Sequence, residues 1–284
     1  MTRPLYWSVR REVWENRSIY IAPLIVAAVS VFGFVISAIG LPHRRRAVLL
    51  LDPDRQKAAI TMPYEVAATM LILTVMIVGV FYCLDALYGE RRERTILFWK
   101  SMPVSDLTTV ISKASIPMVI LPLLIFPIVV LTQFVMLVWS TIVLLPSGLG
   151  GTTWTRFNLL EESLVLLYGL VALALWHAPI YGWLLLVSSW ARRAALLWAV
   201  MPLFAIGALE KIALNTTHFA SFLQYRFMGH IAIAFSYKPH SGIHYLSQLT
   251  PGRFLSTPGL WLGLVFAAVC LAAAVRMRRY REPI

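Results

Sequence analysis

The apolar run from Ala114 to Leu145 contains no Asp, Glu, Lys or Arg. It is longer than the roughly 20 residues a helix needs to cross a bilayer. Stretches of the same kind recur along the chain, and they place spans at 19–41, 65–85, 114–145, 164–190, 194–210 and 258–275. Inside hydrocarbon every backbone amide must find its partner within the protein, which leaves helices as the economical solution for runs of this length. Pro117, Pro122 and Pro127 bend the third run without ending it. Apolar residues make up 59% of the 284 and charged residues 13%, against about 45–50% and about 25% in globular domains. An all-α membrane protein follows, built as a single domain over 1–284 with little chain left for a separate catalytic one.

The segments outside the spans sort by charge. Residues 1–18 carry Trp7 and Trp14 beside Val9 and Val13, with Arg3, Arg10, Arg11 and Arg17 interspersed. That is the pattern of an N-terminal amphipathic interfacial helix. His43-Arg44-Arg45-Arg46 closes the first span, and Asp52-Pro53-Asp54 marks a turn before Glu65 opens the second. Six spans put both termini on one side. With that side cytoplasmic, 15 of the 25 Lys and Arg fall inside, in the direction of the positive-inside rule. Arg44–Arg46 then lies outside, where contact with lipid headgroups is its only evident role. Residues 215–257 form the longest extracytoplasmic segment, in which Phe219, Phe222, Leu223, Phe227 and Ile231 repeat at helical spacing. The formal charge of +12 reads as Lys and Arg beside anionic lipid, with the bilayer rather than nucleic acid as partner. Cys83 and Cys270 both fall in apolar runs and indicate neither a disulfide framework nor a metal site.

No Gly-x-x-x-x-Gly-Lys-Ser/Thr loop is present to hold nucleotide phosphates, and no Gly-x-Ser-x-Gly or His-Glu-x-x-His motif. The chain therefore offers no catalytic, metal or cofactor site of its own. His240 and His244 read as surface histidines. Polar groups within spans are costly and mark sites of interest. Gln133 reads as an interhelical hydrogen bond or a cargo contact, and His177, two residues before Pro179, as a satisfied core histidine or a proton- or cargo-responsive one. Glu210-Lys211, at the end of the fifth span, reads either as a gating pair or as a snorkelling lysine beside an exposed glutamate.

Residues 86–113 join the second and third spans. Dense charge meets the short Ile96-Leu97-Phe98-Trp99 patch, Pro103 stops that element, and Ser105-Asp106 offers an N-cap and first-turn acid for the next helix. Glu90, Arg91, Arg94-Thr95, Leu97, Met102-Pro103-Val104-Ser105 and Lys113 resemble the cytoplasmic loop of ABC-2 type exporter permeases. The Trp176–Trp183 and Trp190–Arg193 segments are similar to a bacterial branch of that family. The resemblance implies a coupling helix between spans 2 and 3 that docks on a cytoplasmic ATPase subunit, with Glu90, Arg91, Arg94, Thr95, Leu97, Phe98, Trp99, Met102 and Pro103 as the coupling residues. It also implies two ATPase copies, a second permease copy or a related permease, ATP and Mg bound only in the partner subunit, and residence in the cytoplasmic (inner) membrane of a bacterium. Spans rich in Leu, Val, Ile and Ala favour an amphiphilic or apolar substrate such as a lipid, peptide or drug. Two other classes remain: an integral-membrane enzyme acting on lipid, and a non-transporting scaffold or immunity protein that would tolerate change at Glu90, Arg94 and Pro103.

Overall fold

A computed structural model describes residues 4–94, 104–236 and 245–280. They are helical throughout apart from short turns and one isolated bridge between Phe235 and Leu249. Helix α1 (Pro4–Glu15) leads into α2 (Ser18–Ser37), which passes through a single 3-10 turn into α3 (Leu41–Val48). Next come α4 (Pro53–Ala86), the short α5 (Tyr88–Arg92), α6 (Asp106–Ser115) and α7 (Leu121–Leu144). The second half holds α8 (Leu159–Trp190), α9 (Ala195–Leu214), α10 (His218–Ala234), α11 (Pro251–Ser256) and α12 (Pro258–Tyr280). Six of the resulting rods are long and apolar enough to cross a membrane: Ser18–Val48, Pro53–Arg92, Asp106–Ser147, Leu159–Trp190, Ala195–Leu214 and Pro258–Tyr280. Leu24, Phe32, Leu197 and Phe204 turn outward from α2 and α9. An outer surface this apolar suits a hydrocarbon solvent and would associate in water. The chain is a multi-pass, all-helical membrane protein.

Local chemistry sets the helix ends. Ser105 Oγ accepts the Thr108 amide at 3.1 Å and starts α6, the cap expected from the sequence. Asn158 Oδ1 does the same for α8, accepting from Leu160 and Glu161. Between α4 and α5 the amides of Leu87 and Tyr88 both donate to Ser188 Oγ on α8, at 3.0 and 2.9 Å. That side chain satisfies donors which a broken helix would otherwise leave without partners.

Two departures from the expected boundaries have physical causes. The second rod begins at Pro53, not near residue 65, because Asp52 is extended and Pro53 occupies the first turn, where its missing amide costs nothing. The first rod continues past Leu41 through the arginine cluster. Arg44 reaches back to the Ser37 carbonyl, and Arg45, buried, donates to Thr153 Oγ1 at 3.1 Å. Lipid headgroups are thus not needed to account for Arg45.

The core lies where α4, α7 and α8 meet, around Leu71, Val75, Leu121, Ile125 and Leu185. Helices α4 and α8 run parallel: Gly79 sits against Tyr181 toward one end, and the Leu87–Ser188 bond follows nearer that end. Helix α12 packs on α8 at Gly182, where a β-carbon would stand 3.1 Å from Ala267 Cα. A small residue there lets the two backbones approach.

Candidate functional site

At one end of the bundle, acids and bases from widely separated segments converge in a buried knot. Lys113 Nζ on α6 lies 2.9 Å from Glu12 Oε1 on α1 and 3.1 Å from Glu90 Oε1 on α5. Arg278 on α12 extends the chain of charges, 3.2 Å from Glu90 Oε2 and 3.5 Å from Asp106 Oδ1. Arg11 completes it, 2.6 Å from Glu12 and 3.7 Å from Glu90, and the Tyr82 hydroxyl of α4 donates to Glu12 Oε2 at 2.7 Å. The side chains of Glu12, Lys113 and Arg278 are at most 4% exposed. Glu12, Glu90 and Asp106 thus face three cations, and the more exposed Glu15 also reaches Arg11, at 3.5 Å. Removing one partner from such a group leaves an uncompensated buried charge, at a cost of about 3–5 kcal/mol. Glu90, at the start of the loop between the second and third rods, is the hub, because it meets three cations carried by three helices. Its neighbour Arg91 turns inward as well, donating to the backbone carbonyls of Ser189 and Ala191 at the end of α8. The first and last described helices meet here, so both ends of the described chain lie at the same end of the bundle.

The electrostatics of the knot are visible at Glu12. Burial alone pushes its carboxyl upward, but the Lys113 ammonium, the Lys113 and Tyr82 hydrogen bonds and Arg11 outweigh burial and hold it below the ordinary value. Because the folded value lies below the unfolded one, the contribution to stability is complete above about pH 4.3 and is lost as pH falls through the folded value. The unfolding temperature in neutral detergent is therefore expected to fall as pH drops below about 4.3, and Glu12→Gln is expected to flatten that dependence. An unchanged slope in the variant would remove Glu12 from the account.

A second feature opens among α4, α7, α8 and α10: a cleft of about 770 Å³. Its walls are mainly apolar, with Glu65 on α4, Glu162 on α8 and Gln133 on α7 among its polar side chains. Gln133 Nε2 donates to the Tyr64 carbonyl at 3.4 Å. The interhelical bond expected from the sequence is made, and the same residue lines the cleft. His230 on α10 also lines it, with its ring 5.1 Å from that of His177 in an edge-on arrangement. His177 itself is buried in α8, its Nδ1 2.9 Å from the Leu173 carbonyl.

The remaining residues singled out in the sequence fall elsewhere. Glu210 engages α10: its carboxylate accepts from Thr216 Oγ1 and from the amides of His218 and Phe219 at 2.6–2.8 Å. It acts as a cap, where a carboxylate complements the helix dipole, while the neighbouring Lys211 is exposed. Arg94 is exposed too, with φ at +59°. Thr95, Leu97, Phe98, Trp99, Met102 and Pro103 lie outside the described residues. Glu12, Asp106 and Arg278 were not singled out as site residues. The signal that could have found Glu12 was an acid within an otherwise basic amphipathic helix.

Comparison of the chain with protein-family models, with curated proteins and with solved structures gives no match.

Proposed function

We propose that this chain is the membrane subunit of an ATP-driven exporter of the ABC-2 type. It works with a cytoplasmic ATPase subunit in two copies, and with a second copy of itself or a related permease. The observation that carries the reading is the knot at Glu90. The loop that would meet an ATPase is fastened at its base to α1, α6 and α12, and through Arg91 to α8. It also sits between two continuous rods, Pro53–Arg92 and Asp106–Ser147. A push on such a loop moves whole spans, because buried charge pairs resist sliding past one another one at a time.

In this reading Glu90 and Arg91 hold the lever while exposed Arg94 and residues 95–103 meet the ATPase. ATP and Mg bind in that partner, and the chain itself performs no hydrolysis. The knot end faces the cytoplasm with both termini, in the inner membrane of a bacterium. The cargo is amphiphilic, in keeping with an apolar cleft that carries acids.

The test is a mild-detergent purification of the tagged chain from its native cells. An ATPase subunit with ATP hydrolysis is expected to copurify and to be lost in Arg94→Glu, a surface change that leaves the knot untouched. A chain that purifies alone, with no nucleotide hydrolysis in the preparation, would overturn the reading.

A further inference from the structure

The cleft has a polar end and a blind end. It extends along α4 from Glu65 to Met76 and along α8 from Glu162 to Leu173, in each case about 16 Å at the rise of a helix. Beyond Met76 and Leu173 the space that continues, against Tyr181, Pro117 and Pro122, is about 10 Å³, close to that of a single water. Gln133 stands at the other end, since its bond to Tyr64 places it beside Glu65. Gln133 is 6% exposed. The Tyr64 carbonyl can only accept, so the group pointing at it is the amide nitrogen, and the amide oxygen is the atom left over. That oxygen makes no hydrogen bond among the described residues. A buried acceptor without a donor is destabilising, and this one belongs to the wall of a cavity.

The rest of the wall decides what kind of donor fits. Glu65 and Glu162 already have partners of their own, so neither calls for a cationic ligand, and an anionic head would be repelled by both. Ile72, Leu166, Leu170 and Met228 make the body of the cleft apolar. Thr69, one turn along α4 from Glu65, adds a hydroxyl to the wall, able both to donate and to accept. An uncharged head that does the same suits Gln133 and Thr69, and a hydroxyl is the smallest such group. We propose that the cleft binds a lipid alcohol, its hydroxyl donating to Gln133 Oε1 and its tail lying toward Met76 and Leu173. The assignment of this molecule as cargo rests on the exporter reading; the site itself does not.

The test uses the whole chain in phosphatidylcholine nanodiscs with two isomeric probes: dodecanol, and undecyl methyl ether, which keeps the oxygen but has no hydrogen to donate. Unfolding temperature is followed by tryptophan fluorescence as each is titrated. Dodecanol is expected to raise it saturably. The ratio of the ether's half-effect concentration to the alcohol's is expected to be about tenfold larger in the unaltered chain than in Gln133→Leu, as supplying a donor to a buried acceptor implies. Comparing the two ratios cancels how each probe partitions into the bilayer. Met228→Trp, a change at an exposed residue of the wall, is expected to weaken both probes alike. No saturable effect of dodecanol on the unaltered chain, the same ratio in Gln133→Leu, or an undiminished effect in Met228→Trp would each overturn the proposal, and the first and last do not need Gln133→Leu to fold. No ATPase enters the measurement. Saturable, donor-selective binding by a chain that copurifies with no ATPase would sink the exporter reading and leave the site standing; the reverse pair of results would do the opposite.

Discussion

Glu90→Leu is expected to lower the unfolding free energy by about 3 kcal/mol, the lower part of the range for breaking a buried charge group. The substitution leaves Lys113 with Glu12, Arg278 with Asp106, and Arg11 with Glu12 and the more exposed Glu15, so the buried cations lose the acid they share. The value sits low because each cation keeps one acid within reach. Adding Lys113→Met to Glu90→Leu restores the balance: Glu12 retains Arg11 and the Tyr82 hydroxyl, and Arg278 retains Asp106. The double variant is therefore expected to be more stable than Glu90→Leu, against the sum of two independent losses. Cys83 and Cys270 are buried free thiols, so the onset of their labelling by a thiol reagent on heating reports unfolding directly. A double variant as unstable as the two single losses added together would mean that charge balance is not what holds the knot.

Trp176→Ala is the other large expected effect, about 3–5 kcal/mol for truncating a buried tryptophan. The side chain is fully buried, and its indole N–H donates to the Arg226 carbonyl at 2.8 Å. The ring meets Tyr225 edge-on at 5.3 Å and carries the Arg226 guanidinium 4.8 Å above it. That guanidinium in turn donates to the Gly259 carbonyl and lies over Gly263, where any β-carbon would collide with it. Trp176 thus ties α10 to both α8 and α12, and its loss acts on one element. Hydrogen exchange is expected to accelerate over His218–Ala234 while α4 and the rest of α8 stay protected. Uniform acceleration across the bundle would place Trp176 in the global core instead.

Much of the helical plan was readable because hydrocarbon permits few alternatives. The apolar period of Phe219, Phe222, Phe227 and Ile231 announced α10, and Ser105 announced the start of α6. Arg44–Arg46 misled as a helix terminator, since only the tertiary structure supplies Thr153 for Arg45. The knot was illegible for a similar reason. Glu12 stands in a basic helix and Arg278 in a terminal run of arginines, so each looks solvated when read locally. Glu90 and Arg91 sit beside Arg94 in one charged stretch, and nothing in their order tells that the first two turn inward while the third faces out. The cleft required α4, α7, α8 and α10 together. Glu65, which read as the opening of a span, is a wall residue well inside a helix.

The turn over Ile116–Ile120 holds one residue more than an α-helical turn: the Leu121 amide bonds to the Ile116 carbonyl, five residues back. Pro117, with no amide to donate, sits within it. One extra residue changes the angular phase between the helical stretches on either side by about 100°. Counting back from Ile125 and Leu121 in a regular helix would put Ala114 rather than Lys113 at the centre of the inward stripe. The wide turn rotates that stripe by one position, and the lysine comes to face Glu12 and Glu90. The third rod therefore carries two differently oriented faces on one continuous axis, a greasy one for its neighbours in the bilayer and a cationic one for the acids at its base, and a one-residue deletion in this turn would swing the ammonium away from both.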